Sequence, residues 1–257
     1  MHGSLAVAAV HDRYLGQAPT QRCLWKESFH AARCTTLFRQ WLSAPIKEEH
    51  KDLIWAVAGT LSILAFSSTT ARCPEEAWPL GAPDPSDLEW LRLAAGKMTL
   101  WELVNPLRPG SVFRAMFEQL SNIIAHVPAR GVDGLPDDLA LLCGIHEAST
   151  HDANPYFTVA HSLSRILTLP QKDDTLGKVL RVSHHMRNEF EHRLWNKDPV
   201  ALLLLCLWYT KARHIRWWIH FRARYEIPAI CIYLQRYHKD NRTIQRLIPW
   251  EEVKDFL

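Results

Sequence analysis

The sequence lacks the signals of several large protein classes. No two of its six cysteines have the CxxC spacing of a structural zinc site, and they are too widely spread for a small disulfide-rich secreted domain. The formal net charge of only +3 does not favour nucleic acid or an anionic membrane as a partner. We expect buried, reduced thiols at Cys23, Cys34, Cys73, Cys143, Cys206 and Cys231.

No apolar run is long enough to span a membrane. The longest, Leu53 to Phe66, has 14 residues, whereas a spanning helix needs roughly 20. The first residues, MHGSLAVAAVHDRYL, lack the basic stretch that opens a signal peptide. We therefore expect no membrane span, and a location in the nucleus or the cytoplasm.

The alternation of apolar and polar residues that marks β-strands is scarce. Long segments instead repeat apolar residues at helical spacing, between clusters of Pro, Gly, Asp and Ser. The pattern predicts an all-α fold of about ten helices in a single domain over residues 1–257, or in one domain of two lobes divided near 127–135. The predicted helices span 2–17, 20–43, 46–69, 86–104, 110–126, 136–148, 155–169, 174–194, 197–210 and 213–238.

Three polar residues mark the ends of predicted helices around residue 100. Ser86 is placed to cap the free amides of the helix 86–104. Asn105 precedes Pro106, which disfavours helical geometry and ends that helix. Ser111 is placed to cap the helix that follows.

Aromatic and basic residues are abundant, and they are concentrated in the segment Lys211 to Tyr225, KARHIRWWIHFRARY. At 100° per residue one helical face carries the candidate ligand-binding residues His214, Trp217, Trp218, Phe221 and Tyr225. The opposite face carries Arg213, Arg216, His220 and Arg224.

This segment has two interpretations. The aromatic residues form a core stripe with a solvated basic back, or they wall a pocket for a flat, apolar ligand. A nucleic-acid surface is disfavoured, because the Trp side chains point away from the Arg row. We therefore expect no direct binding of nucleic acid by this chain.

Two other clusters of titratable residues carry weaker signals. His185, Glu189 and His192 fall at i, i+4 and i+7, and their side chains suit a metal ion, but the segment HHMRNEFEH lacks the HExxH pattern and is typical of a solvated face. The segment CGIHEASTHDANPY, which starts at Cys143, holds residue types of a Cys/His or Ser/His/Asp catalytic arrangement. It is equally typical of a helix end and a turn, with Asp152 or Asn154 capping the next helix. We assign no metal ligand, no cofactor and no catalytic residue.

Six segments in order resemble one family. They are MHGSLAVAAVHDRYL, FRQWLSAPIKEEHKDLIWAVAGTLSILAFSS, WPL at Trp78 followed by DLEWLRLAAGKMTLWELVNPLRPGSVF, LALLCGIHEASTHDANPYFTVAHSLSRIL, DPVALLLLCLWYTKARHIRWWIHFRARYEIPAICIYL, and IPWEEV. Together they resemble the regulatory region of fungal binuclear zinc-cluster transcription factors of the sterol-uptake-control type. The likeness covers nearly the whole chain.

The resemblance implies a helical, ligand-sensing domain with an apolar pocket among its C-terminal helices, which holds a sterol- or terpenoid-like molecule. The zinc cluster of the family needs six closely spaced Cys in a basic setting, a pattern that this chain does not contain. We therefore expect a transcriptional regulatory domain without its own DNA-binding cluster, acting with a protein partner or as a homodimer. The alternatives are a secondary-metabolism cyclase or isomerase acting on a terpenoid or polyketide, a small-molecule-binding protein on the same scaffold, and a remnant of a longer regulator.

Overall fold

A computed structural model describes residues 1–16, 21–115, 127–169 and 176–254. These residues form helices and no β-strand, so the predicted all-α fold is confirmed for the described chain. None of the described helices combines the length and the apolar character needed to cross a bilayer. The helices are α1 (His2–Tyr14), α2 (Gln21–Leu42), α3 (Lys51–Phe66), α4 (Glu89–Val104), α5 (Asp137–Cys143), α6 (Phe157–Leu167), α7 (Leu176–His185), α8 (Glu189–Trp195), α9 (Pro199–Ala212), α10 (Trp217–Tyr237), α11 (Arg242–Leu247) and α12 (Trp250–Val253), with 3-10 turns at Glu48–His50 and Pro74–Glu76.

The chain divides into two compact units. The first takes in residues 1–68 and 92–123, of which 116–123 lie outside the described residues. The second takes in 69–91 and the chain from 124 onward. The later boundary lies close to the lobe division expected near 127–135, whereas the assignment of 69–91 to the second unit was not predicted.

In the first unit α3 and α4 share a hydrophobic core. Trp55 of α3 is 3% exposed and meets Trp101 of α4 edge to face, with ring centroids 5.5 Å apart. Edge-to-face geometry suits the charge distribution of aromatic rings and adds to the gain from apolar burial. The buried core residues are Ile54, Trp55, Ala58, Leu100 and Val104, and Phe38, Trp41, Ile46, Trp101 and Phe113 pack against them.

In the second unit α9 lies at the centre. Its sequence is apolar on every side, which is typical of a helix enclosed by the fold. Helices α6, α7, α8, α10 and α11 all contact it. The side chain of Asp198 accepts a hydrogen bond from the amide of Ala201 and caps the first turn. The helix predicted at 197–210 is therefore confirmed, with bounds of Pro199–Ala212.

Several helix boundaries differ from the predictions. The predicted helix 174–194 is broken after His185, because Asn188 has a φ of 53° and leaves helical geometry. The predicted helix 136–148 ends at Cys143, where Gly144 adopts the left-handed conformation. Beyond residue 238, where no helix was predicted, the chain forms α11 and α12.

The predicted caps have mixed outcomes. Helix α4 does end before Asn105, whose φ is 39°. It begins only at Glu89, and the hydroxyl of Ser86 donates to Asp84 instead of capping the helix. The hydroxyl of Ser111 accepts from the amide of Phe113, and the helix predicted at 110–126 lies mostly outside the described residues.

Candidate functional site

The five predicted ligand-binding residues do not all lie on one helix. The chain leaves helical geometry after Ala212, and Arg216 has an extended backbone before α10 begins at Trp217. His214 is therefore exposed in the turn between α9 and α10, which corrects the expectation that it shares the helical face. The structure does place the other four residues along α10, and we call Trp217, Trp218, Phe221 and Tyr225 the aromatic face.

The aromatic face combines one buried ring with three partly exposed ones. Phe221 is 2% exposed, whereas Trp217, Trp218 and Tyr225 are half-buried. The two indole rings meet edge to face, with centroids 5.9 Å apart. Half-buried aromatic rings still offer apolar surface that a ligand could remove from water.

The prediction that the basic residues form a solvated face opposite these rings is wrong in part. Arg213 is buried, at 7% exposure, and its Nε donates to the ring of His214. The guanidinium of Arg224 lies 4.5 Å from the ring centroid of Phe221 and 4.6 Å from that of Tyr225, so it stacks on the aromatic face. Cation–π attraction accounts for the position of the guanidinium. The Arg224 side chain thus brings a positive charge to the aromatic face.

Next to Phe221 and Tyr225 in the sequence of α10, Arg222 and Glu226 belong to a buried polar network that sequence reasoning missed. Arg222 donates to Glu226 at 2.7 Å, and the hydroxyl of Tyr209 donates to the other carboxylate oxygen at 2.7 Å. Arg222 also donates to the carbonyl of Asp87 at 3.1 Å. Burial raises the pKa of the Glu226 carboxyl, and Arg222 opposes that shift. The spacing i, i+4 places an Arg and a Glu within reach of each other on a helix, but it does not indicate that the pair is buried.

The network involves the first residues of the segment Asp87 to Phe113. Trp90 is 2% exposed and stacks on Trp208 with centroids 5.7 Å apart and an interplanar angle of 8°. The start of the segment is thus fixed in the core of the second unit by the Asp87 carbonyl and the Trp90 ring. It contributes to packing and holds no reactive group in this part.

The rest of that segment, from Arg92 onward, belongs to the first unit. Arg108 pairs with Glu48 at 2.6 Å and with Asp52 at 2.9 Å. Asp52 also accepts from the hydroxyl of Ser111 at 2.8 Å and from the amide of Val112 at 3.0 Å. A groove of about 680 Å³ opens here, but its main charged side chains already pair with one another, so it carries no obvious ligand.

The cluster at Cys143 is a structural turn. Burial, followed by the charge of Asp198, raises the pKa of the Cys143 thiol to about 12, so the thiol stays protonated and is a poor nucleophile. The side chain of Asn154 donates to the Cys143 carbonyl at 2.9 Å and accepts from the amide of Tyr156 at 2.9 Å. It thereby joins the end of α5 to the residue before α6. The predicted capping role is wrong, because the N-cap residue of α6 is Tyr156 and no side chain caps the helix.

The histidines considered for a metal do not share a face. His185 ends α7 and Glu189 begins α8, so the break between the helices separates them. Burial lowers the pKa of His185 to about 4, with Arg181 and Arg187 adding to the effect. Within the described chain no group of three or more His, Cys, Asp or Glu is placed to hold a metal ion.

Comparison with protein-family models, with curated proteins and with solved structures finds no match for this chain. The likeness to the fungal regulators therefore stays a prediction from the residues that carry it. The geometry of the aromatic face is the structural basis for a functional proposal.

Proposed function

We propose that this chain is a regulatory module that binds an apolar small molecule of the sterol or terpenoid class on the aromatic face. In this proposal the chain controls transcription through a protein partner or a homodimer, without a zinc cluster of its own. The resemblance to the fungal regulators motivates the role. The observation that carries the ligand site is the row of half-buried rings of Trp217, Trp218 and Tyr225, which flank the buried Phe221 on α10.

Apolar burial supplies the affinity in this proposal. Removing apolar surface from water gains about 25 cal/mol per Å², so a flat ligand that covers two indole rings gains several kcal/mol before binding costs. The guanidinium of Arg224 at the rings of Phe221 and Tyr225 favours a ligand that carries a hydroxyl or acid group at one end. A sterol or an oxygenated terpenoid has this form.

The residues that adjoin the aromatic face are held firmly by the fold. Phe221 is buried, and the next residue on α10, Arg222, is held by the carboxylate of Glu226 and the carbonyl of Asp87. Rigid support lowers the ordering cost of binding. Residues 213–216 connect α9 to α10 and directly precede Trp217. A ligand bound at Trp217 therefore favours one conformation of this connection over others.

Native mass spectrometry with added ergosterol tests the proposal. The expected result is a one-to-one complex of the full chain with ergosterol, and no comparable complex with a sugar of similar mass. Extraction of the purified protein with organic solvent then identifies any apolar molecule that it already carries. The absence of an ergosterol complex, together with an extract free of sterols and terpenoids, would argue against this function.

A further inference from the structure

A polar groove of about 490 Å³ lies in the second unit, away from the aromatic face. It is formed by the end of α8, the start of α9 and the last turns of α10. The residues that give it its chemistry are His192, Arg193, Lys197, Asp198, Tyr233 and His238. Tyr233 is eight residues beyond Tyr225 on α10, or about 12 Å along the helix axis.

Lys197 occupies a backbone position that favours glycine. The amide of Lys197 donates to the carbonyl of Leu194 at 2.9 Å, and the amide of Asp198 donates to that of Arg193 at 2.9 Å. This pair of hydrogen bonds ends α8 in a Schellman arrangement, in which the residue after the cap is left-handed and usually Gly. Lys197 has a φ of 54° there. A strained position filled by a long cation points to a role for the side chain.

The acidic groups of the groove are already engaged. One carboxylate oxygen of Asp198 accepts from the hydroxyl of Tyr156 at 2.9 Å and from the amide of Ala201 at 2.9 Å. Glu189 pairs with Arg193 at 3.2 Å. Arg193 also donates to the Tyr156 hydroxyl at 3.1 Å. Asp198, Glu189 and Arg193 thus have charged or hydrogen-bonded partners within or beside the groove, and the remaining charged group is the ammonium of Lys197.

The ammonium group of Lys197 has neutral partners. It donates to the carbonyl of Pro79 at 2.8 Å and lies 5.7 Å from the ring centroid of Tyr233. Its charge acts on the carboxyl of Asp87, but among the described residues no carboxylate lies within ion-pair distance of it. An ammonium group has three donors, so two remain after the bond to Pro79.

We propose that this groove binds a small molecule carrying an oxyanion, a carboxylate or a phosphate, which pairs with the Lys197 ammonium. The ring of Tyr233 forms a wall against which a planar ligand can stack. Burial, followed by the neighbouring Tyr237, raises the pKa of Tyr233, so its hydroxyl remains a neutral donor. His192 and His238 add two imidazoles to the lining. This site does not depend on the aromatic face or on the function proposed for it.

The test uses inorganic phosphate and benzoate as probes of the full chain at constant ionic strength. Two-dimensional NMR follows the ring protons of His192 and His238, with chloride as the reference anion. The expected result is a saturable shift with at least one probe. Saturation by phosphate assigns a phosphate-bearing ligand, and saturation by benzoate alone assigns a planar carboxylate stacked on Tyr233.

The variant Lys197→Gly makes the test specific. Gly suits the left-handed backbone, so the variant removes the ammonium without straining the turn. Affinity for the probe should fall about tenfold, in keeping with the loss of one charge-assisted contact. Lys239→Gly removes the same charge from an exposed neighbouring position and should leave affinity unchanged.

Two results would overturn this assignment. One is that neither probe shifts the histidine resonances beyond the effect of chloride. The other is that Lys197→Gly binds the probe as tightly as the unmodified chain. If Lys197→Gly is not folded by circular dichroism, Lys197→Asn replaces it, because Asn also tolerates the left-handed conformation.

Discussion

The guanidinium of Arg222 donates to the carboxylate of Glu226 at 2.7 Å, and both side chains are 4% exposed. A buried pair of this kind contributes little net stability over well-packed apolar residues, but loss of one partner leaves an unpaired charge in the core. The hydroxyl of Tyr209 and the carbonyl of Asp87 complete the network. It fixes the turn of α10 that contains Tyr225 of the aromatic face.

Replacing one residue of this pair should lower the free energy of unfolding more than the pair as a whole contributes to it. Glu226→Leu and Arg222→Met should each lower the free energy of unfolding by about 3–5 kcal/mol, because each leaves one buried charge. The double variant should lose less than the sum of the two. Urea denaturation of all four proteins measures the coupling. Additive losses would show that the two charges do not depend on each other.

Asp198 should act as a helix cap and as the partner of Tyr156. Its carboxylate accepts from the amide of Ala201 and from the hydroxyl of Tyr156, both at 2.9 Å. Asp198→Ala should cost about 1–2 kcal/mol in the free energy of unfolding, since caps of this kind contribute that much. Asp198→Asn keeps the capping oxygen and should recover most of the loss. Equal losses in the two variants would contradict the capping role.

His185 should make the fold less stable in acid. Burial lowers its pKa from 6.5 to about 4, so between these values the unfolded chain binds a proton that the folded chain does not. Its contribution to stability is therefore present above pH 6.5 and is lost as the pH falls toward 4.

The variant His185→Gln isolates this contribution. Between neutral pH and pH 4 its free energy of unfolding should fall less than that of the unmodified chain, by about 2 kcal/mol after allowance for partial exposure. Urea denaturation at a series of pH values measures the difference. Parallel pH curves for the two proteins would contradict the lowered pKa.

The cysteines should differ in their reactivity toward a thiol reagent. Cys73 is partly exposed, whereas Cys143, Cys206 and Cys231 are buried, and burial raises the pKa of the Cys143 thiol to about 12. The sulfurs of Cys206 and Cys231 lie 3.7 Å apart in the core. In the native protein iodoacetamide should label Cys73 before Cys143, Cys206 and Cys231, which should react only after urea is added. Mass spectrometry of tryptic peptides gives the order, and early labelling of Cys206 would contradict the packing of α9 on α10.

The helical periodicity predicts the fold class because apolar spacing directly reflects which side chains face the core. It succeeds best where the helix is uniformly apolar, as in α9, and where Pro106 follows Asn105 at the end of α4. It fails at Asn188 and Lys197, which adopt left-handed conformations that the sequence usually marks with Gly. At Lys197 the side chain also makes a tertiary hydrogen bond to the carbonyl of Pro79, a contact that no local pattern reports.

The candidate site was predicted less completely than the fold. Four of its five residues lie along α10, but His214 does not, because the helix begins three residues later than it. Arg213 and Arg222 were both missed as buried residues, since charge in a sequence is usually taken to face water. The Arg222 side chain also has a partner distant in sequence, the Asp87 carbonyl, which helical periodicity cannot bring together with it.

Equilibrium titration with a fluorescent sterol tests the central claim most directly. Energy transfer from Trp to dehydroergosterol is measured for the unmodified chain, for the double variant Trp217→Ala/Trp218→Ala, and for Trp25→Ala, which removes an exposed indole of the first unit as a control. The account predicts saturable binding that weakens at least about tenfold in the double variant and is unchanged in the control. Equal affinity in a well-folded double variant would contradict the assignment of the ligand to the aromatic face.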